Sequence, residues 1–191
     1  MILNVSYQAQ LPYEDDPEVN KDWCGILCLW MVMSYYLKDQ APSVEQLLSK
    51  YGQQLKDNGF RHQDFLKIAR DYNLRGFRKS WWAQPGVQPI LEKFQQEGEG
   101  EQDIEDWLQT NLEEGIFTIE NMINQNIPVI VSVNKEFSPS NTSHLILVVG
   151  CDDNNFIVHD PLHKGPNYKV SKEELKKYWI RQAIIIKPVN E

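Results

Sequence analysis

The run CGILCLWMVMSYYL, residues 24–37, is apolar on nearly every face. Its length and its Leu and Met content favour a helix over a strand. A helix apolar all round must be enclosed by the rest of the fold, so this chain needs other layers on several sides of one central helix. Asp22 stands where a capping side chain would start that helix, which puts Cys24 in the first turn. After the loop DQAP, Ser43 opens a second helix, SVEQLLSKYGQQL, with Gln46 at capping-box spacing. A third is expected near HQDFLKIARDY, where Phe65, Ile68 and Ala69 recur at helical spacing.

The period then changes. NIPVIVSV, SHLILVVGC, NNFIVHDP and QAIIIKP are short, rich in Ile and Val, and bounded by Asn, Asp, Gly and Pro, which is the pattern of strands. The turn signal DDNN makes the middle pair an antiparallel hairpin. Two more helices are expected, FTIENMINQN before the first of these strands and SKEELKKYW before the last, with Ser171 and Glu174 again at capping-box spacing. Helices first and strands later indicate an α+β fold, a helical N-terminal half packed on a mainly antiparallel sheet. The stretch LRGFRKSWW reads as a further strand, with Phe77 and the tryptophans packed inward and the arginines solvated; its other reading is a binding surface.

At 191 residues the chain suits a single domain spanning 1–191, with an acidic insertion at about 83–114. Eight acidic residues fall between Glu97 and Glu114 with no Lys or Arg, the mark of a solvated face or of a collar favouring basic substrates. A net charge of −8 repels phosphate backbones and anionic lipid, which excludes nucleic acid as a general partner. The opening MILNVSYQAQLPYEDD has no basic segment followed by an apolar run, and no apolar stretch approaches the roughly 20 residues of a membrane span. A cytoplasmic protein with no membrane insertion is expected. Its three cysteines, Cys24, Cys28 and Cys151, are an odd set better read as reduced thiols than as a disulfide framework.

Cys24 is the cysteine with chemical context. A thiol in the first turn of a helix sits at the positive end of the macrodipole, which favours the thiolate. Cys28, one turn deeper, and Cys151, at a strand end, read as small apolar core residues. His144 opens the apolar strand SHLILVVG, where a packing position would hold Val, Ile or Leu. Sixteen residues on, the return strand ends in Asp160, which hairpin counting brings to the same end of the sheet within a few residues of strict register. A carboxylate that orients an imidazole, and an imidazole that activates a thiolate, are the three parts of a cysteine-nucleophile site. His159 competes with His144, but strand alternation points it to the opposite face from Asp160. His62 and His163 are expected to face solvent. The Cys-x₃-Cys pair lacks a matching second pair at zinc-site spacing, so neither metal nor cofactor is expected.

Together PYEDD, DWCGILCLWMVMSYY, PVIVSV, SHLILVVGCDDNNFIVHDP and YKVSKEELKKYW resemble, in order and spacing, the bacteriocin-processing (double-glycine) peptidase family and its papain-like relatives. The resemblance implies a papain-like fold, with Cys24 as nucleophile, His144 as general base and then acid, and Asp160 as orienting carboxylate. It also implies a peptide or protein substrate and an acyl-enzyme. Two positions depart from the family pattern. Ile26 stands where a small residue or Pro is usual. The upstream Gln that supplies an oxyanion-hole donor is replaced by Asp16 or Glu18, leaving Asn20, Gln8 or Gln10 as alternatives. Two other functions share these residues: acyl transfer by the same triad, and a binding module that keeps the fold without turnover. The sequence leaves the oligomeric state open.

Overall fold

The structure is a computed structural model and describes residues 1–10, 23–58, 62–81, 92, 96–97, 101–139, 143–162 and 164–189. The first half is helical as its spacing predicts: α1 is Cys24–Leu37, α2 Val44–Asn58 and α3 His62–Asp71. Then follow β1 (Leu74–Ser80), α4 (Glu101–Asn124), β2 (Val129–Asn134), β3 (Ser143–Cys151), β4 (Asn155–Asp160), β5 (Gly165–Ser171), α5 (Lys172–Tyr178) and β6 (Trp179–Pro188). The six strands form one antiparallel sheet in the order β1-β6-β2-β3-β4-β5.

Both capping boxes form their cap bonds. Gln46 N–H donates to Ser43 Oγ at 3.2 Å while Ser43 N–H donates to Gln46 Oε1 at 2.8 Å, and Glu174 N–H donates to Ser171 Oγ at 3.0 Å. Helix α1 lies against β3 with α2 and α3 beside it, which gives its apolar surface somewhere to go. Ile26, Leu27, Leu29, Met31 and Met33 are wholly buried, each contributing roughly 1.5–3 kcal/mol relative to exposure. Helices α3 and α4 cover opposite faces of the sheet. A Cβ on Gly76 would stand 2.8 Å from Leu66 of α3, whereas Lys79, an odd number of residues along the same strand, reaches Glu114 of α4 at 3.2 Å.

Several expectations need correction. Helix α4 begins at Glu101, well before Phe117, so the second half of the acidic stretch is helical. The burial of Leu112, Ile116, Ile119 and Ile123 at helical spacing outweighs like-charge repulsion of a few tenths of a kcal/mol per pair. Trp23, with no side-chain cap bond, precedes α1; Asp22 lies outside the described residues. LRGFRKS is a strand with Arg75 and Arg78 exposed, but Phe77, on edge strand β1, is 42% exposed too; Trp81 is buried and Trp82 lies outside the described residues. Strand β5 has no alternating apolar pattern to announce it, since it is a largely exposed edge held by its backbone pairing to β4.

Candidate active site

Three element ends meet at the site: the first residue of α1, the start of β3 and the end of β4. Cys24, at the helix N-terminus, is partly exposed, while His144 is 3% and Asp160 1% exposed. The backbone N–H groups of a first helical turn have no intrahelical acceptor, so that of Cys24 is available as a donor. His144 Nε2 lies 2.8 Å from Asp160 Oδ1, and the Cys24 thiol is near enough to the same imidazole to help raise its pKa. Asp160 Oδ1 also accepts from Leu162 N–H at 3.0 Å, which fixes the carboxylate in the turn after β4. Burial alone would lower the His144 pKa. The hydrogen bonds to Asp160 and Cys24, and the negative charges of both, override it and push His144 up to about 9. The imidazolium is therefore the resting form near neutral pH.

A β-bulge brings the pair together. Near the hairpin turn Cys151 pairs with Phe156 and Gly150 with Ile157; past the irregularity at Val149, Val148 pairs with Val158 and Leu147 with His159. Strict counting from the turn would set Asp160 opposite Leu147, on the face His144 does not use. The extra residue sets it opposite Ile146 instead, and Ile146 and His144 share a face.

The other sequence candidates separate clearly. Cys28 is wholly buried, its Sγ donates to the Leu145 carbonyl at 3.5 Å, and burial pushes its thiol well up. Burial also raises Cys151. His159 faces away from the dyad and bonds the Val5 carbonyl. His62 does not simply face solvent: it is half-buried at the start of α3, with Nε2 3.2 Å from Ser132 Oγ, and burial and then Arg78 lower its pKa. His163, Asp16, Glu18 and Asn20 lie outside the described residues. Ile26 is absorbed by the core at 0% exposure. Gln8 spends its amide on the Ala9 carbonyl at 3.2 Å. Gln10 is only 1% exposed, and its N–H donates to the Pro161 carbonyl at 2.7 Å, which places it beside Asp160. A glutamine upstream of Cys24 was the signal available in the sequence, but only the path of the N-terminal segment distinguishes Gln10 from Gln8.

Residues 2–183 match the family described as Peptidase_C39 like. The chain belongs to this family. Solved structures agree with the C39-like assignment. One is a double-glycine-motif protease from an AMS/PCAT transporter, in complex with a leader peptide: 17% identical, covering 98% of this chain and 94% of that one, TM-score 0.61. Another is the peptidase domain of Streptococcus ComA, a bifunctional ABC transporter of a quorum-sensing pathway: 17% identical, 90% and 96% covered, TM-score 0.58. A C39-like chain from Bacillus anthracis is 16% identical, with 97% and 96% covered and a TM-score of 0.59. None of the curated proteins compared with the chain matches it. The α+β architecture of this C39-like chain is thus the papain-like peptidase fold, and its family and fold are those of cysteine peptidases. Among the described residues, no helix is long and apolar enough to cross a membrane.

Proposed function

We propose that this chain is a cysteine peptidase in which Cys24, His144 and Asp160 form the catalytic triad. The observation that carries the reading is one buried imidazole held by Asp160 at 2.8 Å and raised in pKa by Asp160 and Cys24 together. The Cys24 thiolate attacks the scissile carbonyl, and the C=O π pair moves onto oxygen. The oxyanion is held by the Cys24 backbone N–H and by the Gln10 side-chain amide, which takes the role the acidic residues nearer Cys24 could fill only when protonated. His144 gives its proton to the departing amine as the C–N bond breaks, leaving a thioester. The now neutral imidazole takes a proton from water, hydroxide adds to the thioester carbonyl, and the acid product leaves as thiolate and imidazolium are restored. Asp160 keeps the ring oriented and its charged form favoured throughout.

The leader peptide carried by one structural neighbour makes a peptide with a Gly-Gly cleavage point the first substrate to assay. Cys24→Ala is expected to abolish cleavage and to keep a cooperative thermal transition, because a partly exposed thiol at a helix start contributes little to packing. Cys28→Ala should lower stability by on the order of 1 kcal/mol and leave turnover in place. Turnover that survives Cys24→Ala, or is lost only in Cys28→Ala, would assign the nucleophile wrongly. A wild type inert toward peptides, activated esters and amine acceptors would favour the binding-module reading.

A further inference from the structure

The catalytic proposal uses Asp160 and leaves its neighbour unexplained. His159 is 2% exposed and follows the buried Phe156, Ile157 and Val158 in β4. Its two ring nitrogens are both engaged, in opposite senses. Nε2 lies 3.0 Å from the Val5 carbonyl, which can only accept, so Nε2 carries the proton. Nδ1 receives the N–H of Asn167 at 3.2 Å, so Nδ1 must be bare. The two bonds specify the neutral Nε2–H tautomer, and burial, which lowers the pKa, favours the same state.

What His159 holds is the N-terminal segment. Leu3 N–H bonds the Val149 carbonyl at 2.7 Å, Val5 accepts from His159, and the Tyr7 ring meets the imidazole edge-on at 5.6 Å. The Tyr7 hydroxyl donates to the Asp160 carbonyl at 3.0 Å, and Gln10 N–H donates to Pro161. The segment thus runs beside the β3–β4 hairpin and ends with Gln10 bonded to Pro161, one residue from Asp160. Residues 159 and 160 point to opposite faces of β4, so consecutive side chains serve different parts of one site. Asp160 orients the imidazole that moves protons, and His159 grips the segment that delivers the amide.

We propose that His159 is a positioning residue for the oxyanion hole: as a neutral imidazole it latches the segment Val5–Gln10 to β4 and so sets the Gln10 amide beside Cys24. The inference rests on the role given to Gln10 above. It demands a particular pattern of losses, since only reactions that build an oxyanion need Gln10. Alkylation of Cys24 by iodoacetamide is a displacement at carbon that builds none, so it reports the thiolate–imidazolium pair alone.

The test compares His159→Met, which removes both ring bonds at similar volume, with His159→Gln, which retains an amide donor for the Val5 carbonyl. His159→Met is expected to lower kcat on the Gly-Gly peptide by up to the hundredfold to thousandfold typical of one oxyanion donor, with KM within about twofold. Cys24 alkylation should keep its rate, and amides of residues 3–10 should exchange with deuterium faster. His159→Gln should recover most of the loss. Combined with Gln10→Ala, His159→Met should add no further loss, because a latch is silent once its cargo is gone. Losses that multiply in the double variant, or a slowed alkylation, overturn the proposal by showing that His159 supports the fold or the dyad instead. Should His159→Met fail to fold, Tyr7→Phe removes a bond of the same segment outside the core. It must slow kcat and lose its effect in the Gln10→Ala background, and unchanged kcat overturns the proposal. If wild type cleaves nothing, the peptidase reading fails separately, and the latch is judged on exchange: undiminished protection of residues 3–10 in His159→Met, or in Tyr7→Phe where that variant stands in, refutes it.

Discussion

Replacing Asp160 with Asn removes one negative charge from the dyad and leaves an oxygen to accept from His144 Nε2. His144 stands at about 9 against an ordinary 6.5, a preference for the imidazolium of roughly 3 kcal/mol at 1.36 kcal/mol per pH unit. Burial opposes that preference, so the hydrogen bonds and charges of Asp160 and Cys24 together exceed it. With Cys24 still in place, loss of the Asp160 charge is expected to lower the His144 titration by about 1–2 pH units. Imidazole ¹H–¹⁵N NMR reads this directly, without any substrate. Stability follows by linkage. A folded-state pKa above the unfolded one stabilises fully below about pH 6.5, and the contribution is lost as pH rises through about 9. The difference in Tm between wild type and Asp160→Asn should therefore be widest below about pH 6.5 and narrowest near pH 10. The alkaline limb of kcat/KM, where the imidazolium needed by the leaving amine disappears, should move down with the titration. An unchanged His144 titration, or a Tm gap that widens toward alkaline pH, would refute the assignment of Asp160 as the charge that holds His144 protonated.

Iodoacetamide near neutral pH should label Cys24 well before Cys28 and Cys151, whose thiols burial pushes up, and His144→Ala should slow the Cys24 reaction; equal labelling by mass spectrometry would count against an activated pair. Gly115→Ala should lower the urea midpoint by the equivalent of about 1–3 kcal/mol, because a Cβ there would stand 2.6 Å from the Trp179 ring and 3.1 Å from Trp81. A midpoint equal to that of wild type would mean that α4 does not need this close approach to the tryptophan pair.

Local signals were strong wherever local physics decided the outcome. The all-apolar run became the enclosed helix α1, and the capping-box residues Ser43 and Ser171 precede helices that they cap. The DDNN turn closes the β3–β4 hairpin, with Asp152 Oδ1 accepting from Asn154 N–H at 3.1 Å and Asn155 N–H at 2.7 Å. Signals failed where long-range burial or pairing decided. Charge made residues 101–114 look like part of an insertion, although they belong to helix α4, whose Leu112, Ile116, Ile119 and Ile123 are buried. Polar β5 has meaning only as the neighbour of β4.

The same division runs through the candidate site. Sequence by itself determined the residue types and the element ends that carry them: a thiol opening a buried helix, a histidine opening an aliphatic strand, a carboxylate closing the return strand. Each is a matter of hydrophobic pattern and turn chemistry within about a dozen residues. Tertiary structure alone decided that Asp160 faces His144, because the bulge at Val149 shifts the pairing by one residue and side chains alternate with period two. It alone decided that Gln10 is the glutamine buried next to the Asp160–Pro161 turn, because its position depends on hydrogen bonds to residues some 150 places away. A strand's face and a segment's path are set by partners that the local sequence does not contain.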